Sequence, residues 1–344
     1  MTIAAQYVPN TGIEVVEVEA REPGPGEVEI AVAYTGICGT DLHIVHGAMD
    51  QRVKPNSAIG HEMSGRVVSG GAGSEAWAAG APVTVMPLLW CGTCPTCLAG
   101  NTHICDHLTF IGIDAPGSLQ EQWIVPVETL VPLPEDLSLR SAALVEPIAV
   151  AHHDVARGRV SSGEHVVVVG GGPVGLLIAV VAANRGAEVA IVEIDPFRRG
   201  VAEGLGLATV DPQAIDVSAF VDERTRGAGA DVAFEVSGSQ PGVTTAVEIL
   251  RARGRLVAVG IHPQPRLLDL KRVFWKELEI VGARVYTRAD FDAAIALLKT
   301  GVVPADAVIS EVVALRDAPA AFELLARGGS VMKVLVDCGG EAGS

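Results

Sequence analysis

The feature that most narrows the possible folds is a short apolar run, HVVVV (165–169). It leads directly into Gly170-Gly171-Gly172-Pro173-Val174-Gly175 and then into the helix-compatible stretch LLIAVVAANRG. A run rich in β-branched residues suits a strand buried on both faces. Gly170, Gly172 and Gly175 stand in G-x-G-x-x-G register. The first makes a tight turn, the second lets backbone approach a pyrophosphate, and the third lets helix and strand pack closely. Further strand-like runs follow: VAIVEI (189–194), DVAFEVSG (231–238), GRLVAVGI (254–261) and LEIVGARV (278–285), with helical stretches such as VTTAVEILRA between them. Alternation of this kind predicts a doubly wound parallel sheet over residues 151–287. Glu193 ends the second strand about twenty residues beyond the turn, where an acidic side chain accepts from an adenosine ribose and repels a 2′-phosphate. The expected cofactor is therefore NAD. Asp195 competes for that role, and Arg198 is the residue type that would hold a 2′-phosphate.

The rest of the chain reads differently. Up to about Ser141, short β-like runs (VEVEA, EVEIAVAYTGI, MSGRVVSG, QWIVPV) are punctuated by Pro, Gly and Asn, which predicts an irregular, mainly β domain. After the sheet, FDAAIALLKTG (291–301) and APAAFELLARG (318–328) read as amphipathic helices and VMKVLVD (331–337) as a closing strand. With 344 residues there is length for two domains. The formal charge of 25 − 41 = −16 argues against nucleic acid or an anionic membrane as partner. MTIAAQYVPN lacks the pattern of a secretory signal, and no apolar stretch reaches the ~18 residues of a membrane span. A cytoplasmic protein is expected.

Six cysteines are unevenly placed. Cys91, Cys94, Cys97 and Cys105 lie in one short segment, a lobe of about residues 88–110, while Cys38 and Cys338 stand alone. Four soft thiolates at this spacing close tetrahedrally on zinc and leave no open position, so the site is expected to be structural. His103 lies inside the loop and reads as a surface histidine.

Three further segments carry chemistry: Cys38-Gly39-Thr40-Asp41-Leu42-His43, then Gly60-His61-Glu62, then Glu146-Pro147. Together with the four-cysteine lobe and the Gly-Gly-Gly-Pro-Val-Gly turn, all in the same order, they resemble the zinc-containing medium-chain alcohol and polyol dehydrogenases over essentially the whole chain. The resemblance implies a GroES-like catalytic domain, discontinuous over 1–150 and 288–344, around a Rossmann-type NAD-binding domain at 151–287. It implies two zinc ions per chain. Cys38, His61 and Glu146 would hold the catalytic one, with Glu62 close enough to enter or leave its shell. Asp41 would orient the ligand imidazole. Thr40 would hydrogen-bond the reacting hydroxyl, and His43 would pass its proton towards solvent. Besides the glycines, Pro173, Val174, Glu193, Arg198, Ser237, Val259 and Gly260 would line the cofactor.

Val-Glu146-Pro stands where ethanol-oxidising members carry a cysteine. That points to the sorbitol, 2,3-butanediol and threonine dehydrogenase branch. Gly39 replaces an arginine that some relatives place near the pyrophosphate. The expected reaction is hydride transfer between a secondary alcohol and NAD, giving the ketone. A sugar alcohol, an inositol, a vicinal diol and threonine all remain open as substrates. His152 and His153 are further candidates for substrate contact. The competing readings are a zinc-free, NADPH-dependent quinone or enone reductase of the same fold and a non-enzymatic NAD-binding protein; the intact Cys38, His61 and Glu146 set argues against both. Relatives assemble as homodimers or homotetramers through the cofactor-domain sheet, and the stretch 254–270 is the expected source of the edge.

Overall fold

The computed structural model describes residues 1–328 and 330–340. It divides into two compact units. One comprises Met1–Glu146, Thr287–Lys299 and the chain from Ala305 on; the other comprises Pro147–Tyr286 and Thr300–Pro304.

The first unit is built on a mixed sheet centred on β1 (Glu27–Gly36), which pairs antiparallel with β2 (Glu62–Gly70), with Gln122–Pro126 and with the C-terminal strand Lys333–Asp337. Alternation along β1 explains its place. Val28, Ile30 and Val32 are fully buried, while Glu27, Glu29 and Ala31 between them are half-buried. The strand then turns into a short helix, α1 (Gly39–Val45), through Cys38. The chain-terminal strand pairing with β1 is what makes this unit discontinuous in sequence.

In the second unit, helix α2 (Val145–Arg157), begun in the first unit, leads into β3 (His165–Val169), which is followed by α3 (Pro173–Asn184). The sheet adds β4 (Glu188–Val192), β5 (Ala208–Val210), β6 (Ala230–Glu235), β7 (Leu250–Ala258) and β8 (Glu279–Gly282) in the order β5-β4-β3-β6-β7-β8, every pair parallel. Val166–Val169, Ala190–Val192, Val232–Phe234 and Leu256–Val257 are buried, as the continuous apolar runs require when helices cover both faces. α3 is apolar all round and buried from Gly175 to Ala182, the pattern of a helix packed into a core.

One expectation changes here. β7, which holds residues 254–258, lies inside the sheet between β6 and β8. The outer edge on that side is β8, because residues 279–282 add one more parallel strand beyond it.

Candidate functional site

The chain reverses sharply at the end of β3. Gly170 has φ +107°, a conformation open to glycine, and a Cβ there would stand 2.9 Å from the Ser237 nitrogen. Gly175 has no room for a side chain either, since a Cβ would collide with the Gly170 carbonyl oxygen. Gly172 caps α3 with Pro173 at its first turn, so the free N–H groups of a helix start face the turn. Gly170 makes the turn, and Gly175 lets the helix start pack against it.

Glu193 follows β4 and is buried. Its two oxygens accept from the Gly171 N–H (2.6 Å) and the Asp195 N–H (2.8 Å), tying the acidic side chain to the glycine turn. Asp195 is occupied otherwise: its Oδ1 accepts from the Phe197 and Arg198 N–H groups and caps the helix Pro196–Gly204. Of the two acids, Glu193 is thus the one built into the turn. A guanidinium nitrogen of Arg198 lies 3.6 Å from where a Gly172 side chain would start, and its buried Nε has no hydrogen-bond partner among the described residues. Val192, Val169, Glu235 and Ala258 stand in register across the sheet, so Ser237, Val259 and Gly260 gather at the same carboxyl edge. A glycine cradle, an acid beside it and an orphaned guanidinium N–H suit a dinucleotide.

The four-cysteine lobe is closed by pairing of Leu88–Leu89 with Thr109–Phe110. The Sγ atoms of Cys91, Cys94, Cys97 and Cys105 all lie within 4.8 Å of one another, with Cys94–Cys105 at 3.8 Å and Cys91–Cys105 at 3.5 Å. Thiolates ~2.3 Å from a tetrahedral zinc would be ~3.8 Å apart, so the set fits that ion. Backbone N–H groups point at the sulfurs, from Thr93 and Cys94 to Cys91, from Cys97 to Cys94 and from His107 to Cys105. Those of Thr93 and Cys94 lower the Cys91 thiol to about 5, which favours the ligating thiolate. His103 does not belong to the set.

The second cluster joins Cys38, His61 and Glu62, whose donor atoms also lie within 4.8 Å of one another. Cys38 precedes α1 as its N-cap residue, and its N–H donates to Asp41 Oδ2 at 2.9 Å. Asp41 is wholly buried, and its Oδ1 stands 3.6 Å from His61 Nδ1. Neither of those two atoms has a hydrogen-bond partner among the described residues. His61 is further held by the Phe110 ring, edge-on at 5.2 Å between centroids. Burial alone would lower the His61 pKa, but Asp41, Cys38 and Glu146 outweigh it and hold it well above the ordinary value. Surroundings that favour a proton on this imidazole favour a cation in its place. The thiol, imidazole and carboxylate donors suit zinc.

Glu146 lies in the first turn of α2, 4% exposed, near enough to bear on both His61 and Lys333. It falls outside the tightest donor set, where Glu62 stands instead. Glu62 is already engaged: Lys333 Nζ donates to its two oxygens at 2.8 and 2.7 Å, and to the Ile37 carbonyl at 3.1 Å. Lys333 is 2% exposed. Sequence reasoning missed it, although a lysine inside the apolar run VMKVLVD was a visible signal for a buried partner. Thr40 and His43 are half-buried and share one face of α1, three residues apart. The His152 ring is 3.4 Å from an Arg185 guanidinium nitrogen, and His153 is buried. Cys338 is buried, and its thiol is pushed up to about 12, which leaves it inert.

Residues 24–135 match the alcohol dehydrogenase GroES-like domain, and residues 173–300 match the zinc-binding dehydrogenase domain. The 2-dehydro-3-deoxy-L-galactonate 5-dehydrogenase of Pseudoalteromonas atlantica is 49% identical over 98% of this chain and 99% of its own. The sorbitol dehydrogenase of Halalkalibacterium halodurans is 34% identical over 92% and 94%. A zinc-binding dehydrogenase from Sinorhizobium meliloti, solved with NADP bound, superposes with a TM-score of 0.91 at 31% identity, covering 98% of this chain and 99% of its own. The chain belongs to the zinc-containing medium-chain alcohol dehydrogenase family. Within it, the chain is an oxidoreductase of the polyol branch, interconverting a secondary alcohol and a ketone.

Proposed function

We propose that this dehydrogenase oxidises a secondary hydroxyl of a sugar acid of the 2-dehydro-3-deoxy-L-galactonate kind, with NAD as hydride acceptor and two zinc ions per chain. Cys38, His61 and Glu146 would hold the catalytic ion; Cys91, Cys94, Cys97 and Cys105 would hold the structural one. The observation that carries the ligand set is the grip of Lys333 on both Glu62 oxygens. With that carboxylate neutralised, Glu146 is the buried acid left to stand beside Cys38 and His61, and Glu62 is a reserve ligand. The substrate class rests on the 49% identity, which spans essentially the whole chain.

Zinc, when bound, acts as the Lewis acid that makes the alkoxide accessible near neutral pH. The dinucleotide, when bound, would supply the hydride acceptor. The chain's own groups do the rest. Asp41 favours the tautomer with the proton on His61 Nδ1, which leaves Nε2 as a donor of electrons. The Thr40 hydroxyl would hydrogen-bond the reacting hydroxyl and relay its proton, accepting it while giving up its own, and His43 would pass a proton outward. Glu193 accepts from the adenosine ribose; its ionised oxygens offer roughly four lone-pair positions, and two are used by backbone.

The test is NAD reduction over a panel of sugar acids, neutral polyols, vicinal diols and hydroxy-amino acids, with zinc counted on the same sample. The expected result is two zinc ions per chain and highest kcat/KM with a sugar acid. A neutral polyol used more efficiently overturns the substrate class. NAD should be used at least ~10-fold more efficiently than NADP, because a carboxylate beside the ribose repels a 2′-phosphate. Equal efficiency with NADP would assign the deciding role to Arg198.

We also propose a homodimer or homotetramer of cytoplasmic location. Six unpaired cysteines suit a reducing compartment. No helix among the described residues is long and apolar enough to cross a membrane. Among the described residues the strand β8 has no partner on its outer side, and Ile280 on it is 48% exposed. The helix that precedes it in the chain, α4 (Leu270–Lys276), exposes Leu270, Phe274 and Trp275. A two-fold pairing of β8 with its copy satisfies the open edge and covers that apolar face. F274D combined with W275D should shift the protein to a monomer in sedimentation velocity; an unchanged oligomer removes this face from the interface.

A further inference from the structure

We propose that Glu235 and His262 are positioning residues for the nicotinamide half of the dinucleotide, acting separately from the part of the turn that holds the adenosine half. The inference rests on the NAD reading above.

Glu235 is the last residue of β6 and is 1% exposed. A carboxylate so deeply placed needs partners, and its Oε1 and main-chain oxygen have them. Oε1 accepts from the Ser237 N–H (3.0 Å), the Ser237 hydroxyl (2.6 Å) and the Gly238 N–H (3.0 Å). The main-chain oxygen accepts from the Val259 and Gly260 N–H groups at 3.0 and 2.9 Å. Oε2 faces His262 Nε2 at 2.9 Å, a polar contact that lies off the hydrogen-bond line.

One residue therefore clasps the loop after β6 and the loop after β7. The clasp continues outward. His262 Nδ1 accepts from Arg266 Nε at 3.4 Å, and Arg266 Nη2 donates to the Gly238 carbonyl at 3.0 Å. The network assigns the imidazole proton to Nε2, facing the carboxylate. Two glycines clear the space: a Cβ on Gly260 would stand 2.9 Å from Glu235 Oε2, and one on Gly242 2.8 Å from Oε1.

Position gives the clasp its meaning. The strand order reverses between β3 and β6, and a dinucleotide straddles that switch point at the carboxyl edge. Glu193 and Arg198 stand on the β4 side, where the adenosine half belongs. Glu235, Ser237, Val259, Gly260 and His262 stand on the β6–β7 side, where the second mononucleotide half belongs. Ser237 also packs directly against Gly170, so the clasp sets how closely the far wall approaches the turn.

The experiment compares binding of NADH and of AMP to the full-length protein by titration calorimetry, for the wild type, H262F, H262Q and E235Q. Glutamine can place its amide nitrogen near the position of Nε2; phenylalanine has no donor. Removing the polar group that faces Oε2 (H262F), or the charge that meets His262 and the Ser237 and Gly238 N–H groups (E235Q), should weaken NADH by about 5- to 100-fold while AMP stays within ~2-fold. H262Q should bind NADH close to wild type, and KM for NAD should follow the same order. A role in stability alone would lower Tm without separating the two ligands. If E235Q does not fold, the two His262 variants decide. H262F binding NADH like the wild type, or losing AMP in equal measure, overturns the proposal. A wild type that binds neither ligand removes the cofactor reading, and this inference with it.

Discussion

Cys38→Ser should lose at least ~10³-fold in kcat/KM and one of two zinc ions per chain, while NADH affinity stays within ~2-fold. A serine hydroxyl is a poor zinc ligand beside a thiolate. Removing the ion takes away several kcal/mol of charge stabilisation, and each 1.36 kcal/mol is tenfold in rate. The nucleotide should be spared because the glycine turn, Glu193 and the clasp at Glu235 all belong to the other compact unit. Metal analysis, steady-state kinetics and NADH titration on one preparation check this. A variant with its zinc verified and its turnover intact ends the ligand assignment. Glu146→Ala is the companion measurement and should behave the same way. Should it keep both ions and most of its rate, the third ligand is Glu62, released from Lys333.

The second large effect should fall on stability. Cys94→Ser removes one of four thiolates from a lobe that has little else to hold it. The lobe's core consists of Cys94, Cys97 and Cys105 with Leu108 packed against them, and a two-residue strand pair closes its base. Metal binding there is folding free energy. Loss of the site should lower Tm by roughly 5 °C, on the order of 4 kcal/mol for a chain of this size. Activity per folded molecule at low temperature should stay within ~3-fold, because this site leaves no position open for substrate. Calorimetry alongside kinetics distinguishes the outcomes. Unchanged melting with lost turnover would place the lobe in the chemistry instead.

Much of this was readable in advance for a local reason. The glycine turn and the four-cysteine loop are each built from residues close in sequence, so spacing alone reports their geometry. The parallel strands were legible because burial on both faces demands unbroken β-branched runs. What escaped was non-local. Lys333 lies 271 positions from Glu62 and meets it only because the terminal strand pairs with β1. Glu235 reads as one acid in an apolar strand until β7 delivers Gly260 and His262 to it. The strand expected to form the open edge lies inside the sheet, because edge position depends on strand order and β7 carries no mark of it.

Sequence by itself therefore determined the kinds of unit present: a nucleotide turn, a thiolate lobe, and a thiol, imidazole and carboxylate suited to one metal. Tertiary structure decided which charges meet. It put an ammonium on Glu62 and so separated two buried acids that look equivalent along the chain. It also gave Glu193, rather than Asp195, to the glycine turn, since the aspartate caps its own helix. The physical reason is the same in both cases. A buried charge takes its role from the partner that compensates it, and that partner is chosen by packing between distant segments.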